Sequence, residues 1–248
     1  MISHSIFIAG MLYCLGVSAS EVPETGRWQD LEYTAKAVNQ STAIQYRETI
    51  AMLSKARQLD QDPALLKRVQ RISKGLIRIA AQIKPDSKRW KWEIHLTSSP
   101  DVDALCMAGG KILIGSAFVH RLHLNNGELA TLIGHEMAHA VAEHHREELS
   151  EVLHINAQPG DSLDLMAERL RTDFSLQLKL ADLSNTQERE ADHIGMIMAH
   201  QAGWPKKDIL NFYLKLAKTD NNAVISSSYP AFRTRVSLAK ALNALWRK

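Results

Sequence analysis

Cysteine is nearly absent from this chain. Cys14 lies in an N-terminal apolar stretch expected to be removed, which leaves Cys106 with no intramolecular partner. A disulfide framework is therefore excluded, even in an oxidising compartment. Glycine and proline are sparse, at 12 and 7 of 248 residues, and no internal repeat or low-complexity tract interrupts the sequence. Net charge is small as well. A formal +3 is too little to point to nucleic acid, though it allows mild peripheral attraction to an anionic membrane surface. What is present is ordinary globular composition, 45% hydrophobic and 23% charged, which excludes a wholly disordered chain. The length suits one sizeable core or two small ones.

The apolar run from Ser5 to Ala19 is too short to span a bilayer comfortably. It ends on the small residues Val17-Ser18-Ala19. Residues 1–19 therefore read as a secretory signal cut after Ala19, which predicts export, to a periplasm and in membrane-associated form if the basic charge is used. The leading segment carries no Lys or Arg, so a buried N-terminal helix is the alternative reading.

The expected mature chain, 20–248, reads as one domain with N-terminal helices over 28–84 and a core over 90–248. Glu21 to Gly26 looks like an unstructured lead, and Trp28 to Asp60 has helical period with no Pro or Gly. Asp62-Pro63 restarts a helix, as N-cap and first helical residue, that runs to Ile83 and stops at Pro85. Leu65, Leu66, Val69, Ile72, Leu76, Ile79 and Ile83 mark its apolar face. Lys67, Arg68, Arg71, Lys74 and Arg78 form a basic one, read as a solvated surface with a nucleic-acid or membrane module as the rival. Trp90, Trp92, Ile94 and Leu96 alternate with polar residues and predict a half-buried strand. Leu105 to Ile114 predicts a second strand region folded into a hairpin at Gly109-Gly110.

From Ser116 the pattern is helical. A helix is expected from near Glu128 to at least His145. After the loop at Gln158-Pro159-Gly160 a second should run from Asp161 or Ser162 to Leu180, with others over Ser184–Gln201, Lys206–Lys218 and Pro230–Trp246. The stretch from Glu147 to Leu180 either covers a cleft or packs as ordinary core through Leu163, Met166, Leu170 and Phe174.

The decisive run is His135-Glu136-Met137-Ala138-His139. Four residues apart on a helix, the two imidazoles share one face and can share a metal, while Glu136 is rotated by roughly 100° and can reach a water beside it. Zinc in a catalytic site takes three protein ligands and keeps one position open. His145 has the outer spacing of a known third ligand. However, the helix-breaking Gly of that motif is Ala142 here, and in a continuous helix His145 lies about 15 Å along the axis from His135. His144 and His145 are accordingly read as exposed helix-end residues. Glu188 in Glu188-Arg189-Glu190-Ala191-Asp192 is the better third ligand. Asp192, one turn on, can accept the free ring N–H of a ligating histidine. Small Ala191 and Gly195 would let the two helices pack closely. The competing reading of Glu188 is a capping box with Asn185.

These segments, in order, resemble the HtpX-like and BepA-like zinc metallopeptidases, relatives of the CAAX prenyl and Oma-type proteases. The resemblance runs from about Val69 to Val236. It rests on Asp103-Ala104-Leu105-Cys106-Met107-Ala108-Gly109-Gly110-Lys111-Ile112, on the two motifs above, and on Tyr229-Pro230 followed by Arg235-Val236. It implies an α+β, mostly helical gluzincin-type domain with a small antiparallel sheet packed on the active-site helix. It also implies one Zn²⁺ per chain held by His135, His139 and Glu188, Glu136 as general base, and an extended substrate added along the strand Ala104, Leu105, Cys106 and Met107. The family pattern has His where this chain has Tyr229; a phenol there can still donate to an oxyanion. The implied substrates are unfolded or damaged envelope proteins, cleaved in quality control and not nucleic acid. The alternative is a zinc-binding, non-cleaving chaperone-like protein of the envelope.

Overall fold

A computed structural model describes residues 18–156, 158, 161–219 and 232–246. The chain opens on a two-stranded antiparallel ladder, β1 (Ser18–Glu21) against β2 (Trp28–Leu31). Neither the unstructured lead nor the helix expected from Trp28 is found. In β2, Gln29 and Leu31 are buried while Trp28 and Asp30 are exposed, which is the period-2 alternation of a strand. Four residues carry little periodicity, and pairing with β1 decides their state. The Ala19–Ser20 bond, the expected cleavage point, lies inside β1. Helix begins at α1 (Ala35–Lys55), where the Thr34 side chain accepts from the Ala37 N–H.

The second helix, α2 (Pro63–Ile83), has the expected ends, with Asp62 accepting from the Leu65 N–H at 2.9 Å and Pro63 in the first turn. Of its apolar face, Leu65, Val69, Ile72, Leu76 and Ile79 are buried and Leu66 and Ile83 half-buried. Lys67, Arg71, Lys74 and Arg78 are exposed, but Arg68 is half-buried and donates to Asn126 Oδ1 and the Leu124 carbonyl, each at 2.6 Å, so it is not part of a solvated face.

Three strands follow, β3 (Glu93–Thr97), β4 (Ala104–Met107) and β5 (Lys111–Gly115), in the spatial order β3-β5-β4. Gly109 and Gly110 turn the β4–β5 hairpin with φ of 74° and 79°, a region glycine enters without a Cβ clash. The sheet expected to be antiparallel is mixed, because β5 also pairs β3 in parallel, Glu93 with Lys111 through Thr97 with Gly115. The physical reason is the order. β4 lies at the outer edge, so the strand that turns back from it enters the gap beside β3 running in β3's direction. α1 covers one face of the sheet, where Tyr46 packs with Leu113 and donates its hydroxyl to the Ile112 carbonyl at 2.6 Å. Ile112 and Ile114 face the main core on the other side.

The remaining elements are α3 (Ser116–Arg121), α4 (Asn126–Val141), α5 (His144–Asn156), α6 (Leu163–Thr172), α7 (Phe174–Lys179), α8 (Ala181–Gln201), α9 (Lys206–Thr219) and α10 (Phe232–Leu245). At the centre is α4. Asn125 and Glu128 close a capping box at its start, and the Glu128 carboxylate also takes Lys215 of α9 at 2.7 Å. Leu129, Ile133 and Met137 are completely buried, each worth about 1.5–3 kcal/mol of transfer free energy. α5, α6 and α7 build a smaller core of their own with Tyr33 and Val38. Leu163 and Met166 enter it, Leu170 is half-buried, and Phe174 stays exposed. The single helix expected to reach Leu180 is broken at Asp173, whose side chain caps α7. Among the described residues, no helix is long and apolar enough to cross a membrane.

The helix expected to run through His145 also breaks. α4 ends at Val141, Glu143 takes a left-handed φ of 59°, and α5 starts in a new direction at His144. Local propensity favours continuation at Ala142, but tertiary contacts override it. Buried Gln29 of β2 donates to the Ala142 carbonyl at 3.0 Å, supplying a partner at the helix end, and Lys84 and Arg146 hold the Glu143 carboxylate at 2.8 and 3.2 Å.

Candidate metal centre

Two helices form the site, and two glycines set their separation. A Cβ on Gly195 of α8 would stand 2.6 Å from the His135 backbone. One on Gly134 of α4 would stand 2.8 Å from the Gly195 carbonyl oxygen. The main chains therefore touch at one point, beside the first histidine. From there α8 runs back past α4, so that Glu188 and Asp192, one turn apart, face His135 and His139. Asn185 lies within α8, which starts at Ala181, so Glu188 is not tied up in an N-terminal capping box.

The His135 and His139 Nε2 atoms are 3.4 Å apart. Glu188 presents Oε2 to His135 and Oε1 to His139, each at 3.4 Å. These three side chains could hold one metal ion. The donor set fits zinc, since two nitrogens bonded at about 2.0–2.1 Å to one tetrahedral zinc lie about 3.3 Å from each other. Glu188 Oε2 is also buried with no hydrogen-bond partner, a costly state for a carboxylate oxygen that a cation would relieve. The three groups are also strongly coupled to one another. Burial pushes the Glu188 carboxyl up, but the two imidazoles win and hold it far below the usual carboxylate range. Burial lowers the His135 imidazole, but Asp192 and Glu188 raise it to about 10.

The two histidines are backed differently. Asp192, fully buried, sets Oδ1 3.0 Å from Nδ1 of His135. Arg235 of α10 donates twice to that carboxylate, from Nε and Nη2, each at 2.7 Å. Behind His139 stands a residue that sequence reasoning placed at the surface. His144 is buried, and its Nδ1 lies 3.0 Å from Nδ1 of His139. Its Nε2 lies 3.2 Å from Glu190 Oε2. Glu190 also accepts from Arg27, at 2.7 and 3.0 Å, and from the Thr25 hydroxyl at 3.2 Å. The other side of the Arg27 fork meets Glu147 at 2.5 and 2.7 Å, and Gln187 donates to Glu147 at 2.9 Å. Burial lowers the His144 imidazole below its ordinary value, with Glu190 opposing. Burial raises Glu190, but His144 and Arg27 outweigh it and bring its carboxyl to about 2. His145, by contrast, is half-buried and faces Glu148. The sequence signal missed was the second imidazole five residues after His139, reachable once the helix breaks at Ala142.

A cleft of about 290 Å³ opens over the three donors, lined also by Glu136, Ala104, Leu132 and Phe212. Burial raises the Glu136 carboxyl above its ordinary value, with the two histidines opposing. β4 borders the cleft as the outer strand of its sheet. Its side chains alternate, Ala104 and Cys106 against the main core and Leu105 and Met107 towards α1. Tyr229 lies outside the described residues.

Comparison with known proteins bears on the same elements. The sequence profile of Peptidase family M48 matches residues 63–243, from the start of α2 into α10. The chain is similar to the mitochondrial metalloendopeptidase OMA1 of Arabidopsis thaliana, 31% identical over 157 residues, covering 62% of this chain and 32% of the relative. OMA1 of Saccharomyces cerevisiae is 26% identical over 162 residues, 59% and 45% of the two chains. The beta-barrel assembly-enhancing protease of Yersinia pestis is 26% identical over 170 residues, 63% and 33%. The chain thus spans between about a third and under half of these relatives' lengths. With the profile covering most of the chain and the two histidines and the glutamate gathered at one point, the protein belongs to peptidase family M48.

Proposed function

We propose that the chain is a zinc-dependent endopeptidase that cuts extended segments of unfolded or damaged proteins. The observation that carries this reading is the gathering of His135, His139 and Glu188 around one point, with Glu136 in the same cleft and the strand edge of β4 beside it. When bound, zinc supplies Lewis acidity, making water easier to deprotonate and a peptide carbonyl easier to attack. The chain's own residues do the rest. A substrate strand pairs with the main chain of Ala104–Met107, which holds it extended with little demand on side-chain identity. Glu136 takes a proton from the attacking water as its oxygen bonds to the carbonyl carbon. It then gives that proton to the leaving nitrogen as the C–N bond breaks. Tyr229 is the sequence candidate for a donor to the oxyanion, and Tyr229→Phe should then lower kcat without loss of zinc.

Site of action is part of the same proposal. The apolar run before Ala19 and the similarity to a beta-barrel assembly-enhancing protease support export and quality control in the cell envelope. Fractionation of cells expressing the full chain tests this, and recovery only from the cytoplasm would sink it. For the chemistry, purified protein should digest a reduced, alkylated substrate, and chelation should stop it. Glu136→Gln should slow digestion by roughly 10²–10⁴-fold with zinc still bound. A wild type that holds zinc yet is as inert as Glu136→Gln would point instead to a non-cleaving, chaperone-like protein.

A further inference from the structure

The hydrogen bonds behind His139 fit one arrangement of protons in which that residue can bind a metal. If Nε2 of His139 is to offer its lone pair to a metal, the ring's only proton sits on Nδ1 and is donated to Nδ1 of His144. His144 accepts there, so its own proton is on Nε2 and is donated to Glu190. Glu190 accepts every bond that reaches it, from His144, Arg27 and Thr25. The direction of the chain is set at its far end by Arg27, a guanidinium that can only donate. Reversing either imidazole would face two N–H groups, or two lone pairs, across 3.0 Å.

We propose that His144 is a positioning residue for the metal centre, fixing His139 in the tautomer that turns Nε2 towards the metal, with Arg27 locking the Glu190 acceptor on which His144 depends. The inference rests on the reading of His135, His139 and Glu188 as metal ligands. It adds a residue the sequence motif does not contain and a second, Arg27, that lies before the segment matched by the family profile. Arg27 follows the turn after β1 and immediately precedes β2, so the N-terminal ladder becomes part of the apparatus that holds the metal. The same ladder supplies Gln29, whose bond to the Ala142 carbonyl ends α4 where His144 can swing behind His139.

The test uses the full chain and two readouts other than proteolysis. Nitrogen-15 imidazole spectra of the metal-free protein report the His139 tautomer, and competition with a chelator reports zinc affinity. His144→Phe fills the space and removes both ring nitrogens. It should lose the Nδ1–H preference of His139 and weaken zinc binding by about 10–100-fold, the range typical for partners of metal ligands. His144→Gln, which can still accept and donate, should recover part of that loss. Arg27→Ala should weaken zinc binding by about tenfold, the low end of the same range. His145→Ala should change neither readout. A residue that merely packs would lower the urea midpoint and leave the tautomer alone. Unchanged tautomer, or zinc affinity within about twofold of wild type for His144→Phe, overturns the proposal. If His144→Phe does not fold, Arg27→Ala, which is partly exposed, decides by the same criterion. A wild type that binds no zinc overturns this inference and the metal reading together. A wild type that binds zinc but cuts nothing overturns only the peptidase reading, and the affinity ratios still decide this one.

Discussion

His135 and His139 sit one turn apart on the same helix and face the same point, yet they are held by unlike means. His135 is backed by a carboxylate that Arg235 grips with two bonds, all drawn from elements inside the family match. His139 is backed by a second imidazole, which leans on Glu190, which leans on Arg27 from outside that match. One support is short, charged and wholly buried. The other is longer, ends at a side chain 28% exposed, and exists only because α4 stops at Val141. The two ligands of one cation should therefore differ in what disturbs them. His135 should answer to the α8–α10 packing, and His139 to the N-terminal ladder.

The sharpest way to separate the two sides is Asp192→Ala. It leaves the buried Arg235 charge without its two carboxylate bonds, and the guanidinium then has Glu188, 4.0 Å away, to turn to. A loss of about 3 kcal/mol in urea unfolding is expected from breaking a buried pair, together with about 10–100-fold weaker zinc binding. If Asp192→Ala were no more destabilising than Arg27→Ala, the contrast between a buried and a part-exposed support would fail. Next in size is Gly195→Ala, which drives a methyl into the His135 backbone. Overpacking of this kind costs about 1–3 kcal/mol, read as a lower thermal midpoint. Because the clash is on the His135 side, the His139 tautomer should survive it.

The smallest effect serves as a control. Asp62→Ala removes the cap of α2, whose side-chain partners are the Leu65 N–H and His120 and neither ligand histidine, and should cost about 0.5–2 kcal/mol with zinc affinity unchanged. The hydrogen bond from Leu65 holds the Asp62 carboxyl below its ordinary value. A carboxyl lowered on folding stabilises the native state above its unfolded value of 3.8, and that contribution is lost as pH falls below it. The difference between Asp62→Ala and wild type should therefore be full at neutral pH and shrink as acid is added through that range. Zinc affinity that dropped with Asp62→Ala would mean that any loss of stability loosens the metal, and the comparison would say nothing about particular supports.

The half of the site around His135 is legible in the sequence because its determinants are periodic and close together. Two histidines four apart, a glutamate and an aspartate four apart, and a glycine where two helices must touch all follow from one helical repeat. The ends of α2 are legible for the same reason, as Asp62 and Pro63 act on their own helix. The half around His139 is not. Ala142 favours helix, and what stops the helix is Gln29, over a hundred residues upstream and itself in a strand that reads as helix. Once that break is missed, His144 falls on the surface and Glu190, facing away from Glu188, has nothing to do. The parallel pairing of β3 with β5 escapes for a similar reason, since strand order is a property of the whole chain.

The contact between Gly134 and Gly195 has one more consequence, for which ions the protein can take. Side chains can rotate to suit a guest, but here the width of the cage is set by one backbone resting on another. An ion bound through bonds of about 2.0–2.2 Å to two nitrogens and a carboxylate suits that fixed width. Calcium asks for six to eight oxygens at about 2.3–2.6 Å, whereas two nitrogens and one carboxylate meet here, and the longer bonds would require the helices to give up their contact at the crossing. Two missing methyl groups thus help choose the metal, by letting the donors on two helices come as close as a small ion requires.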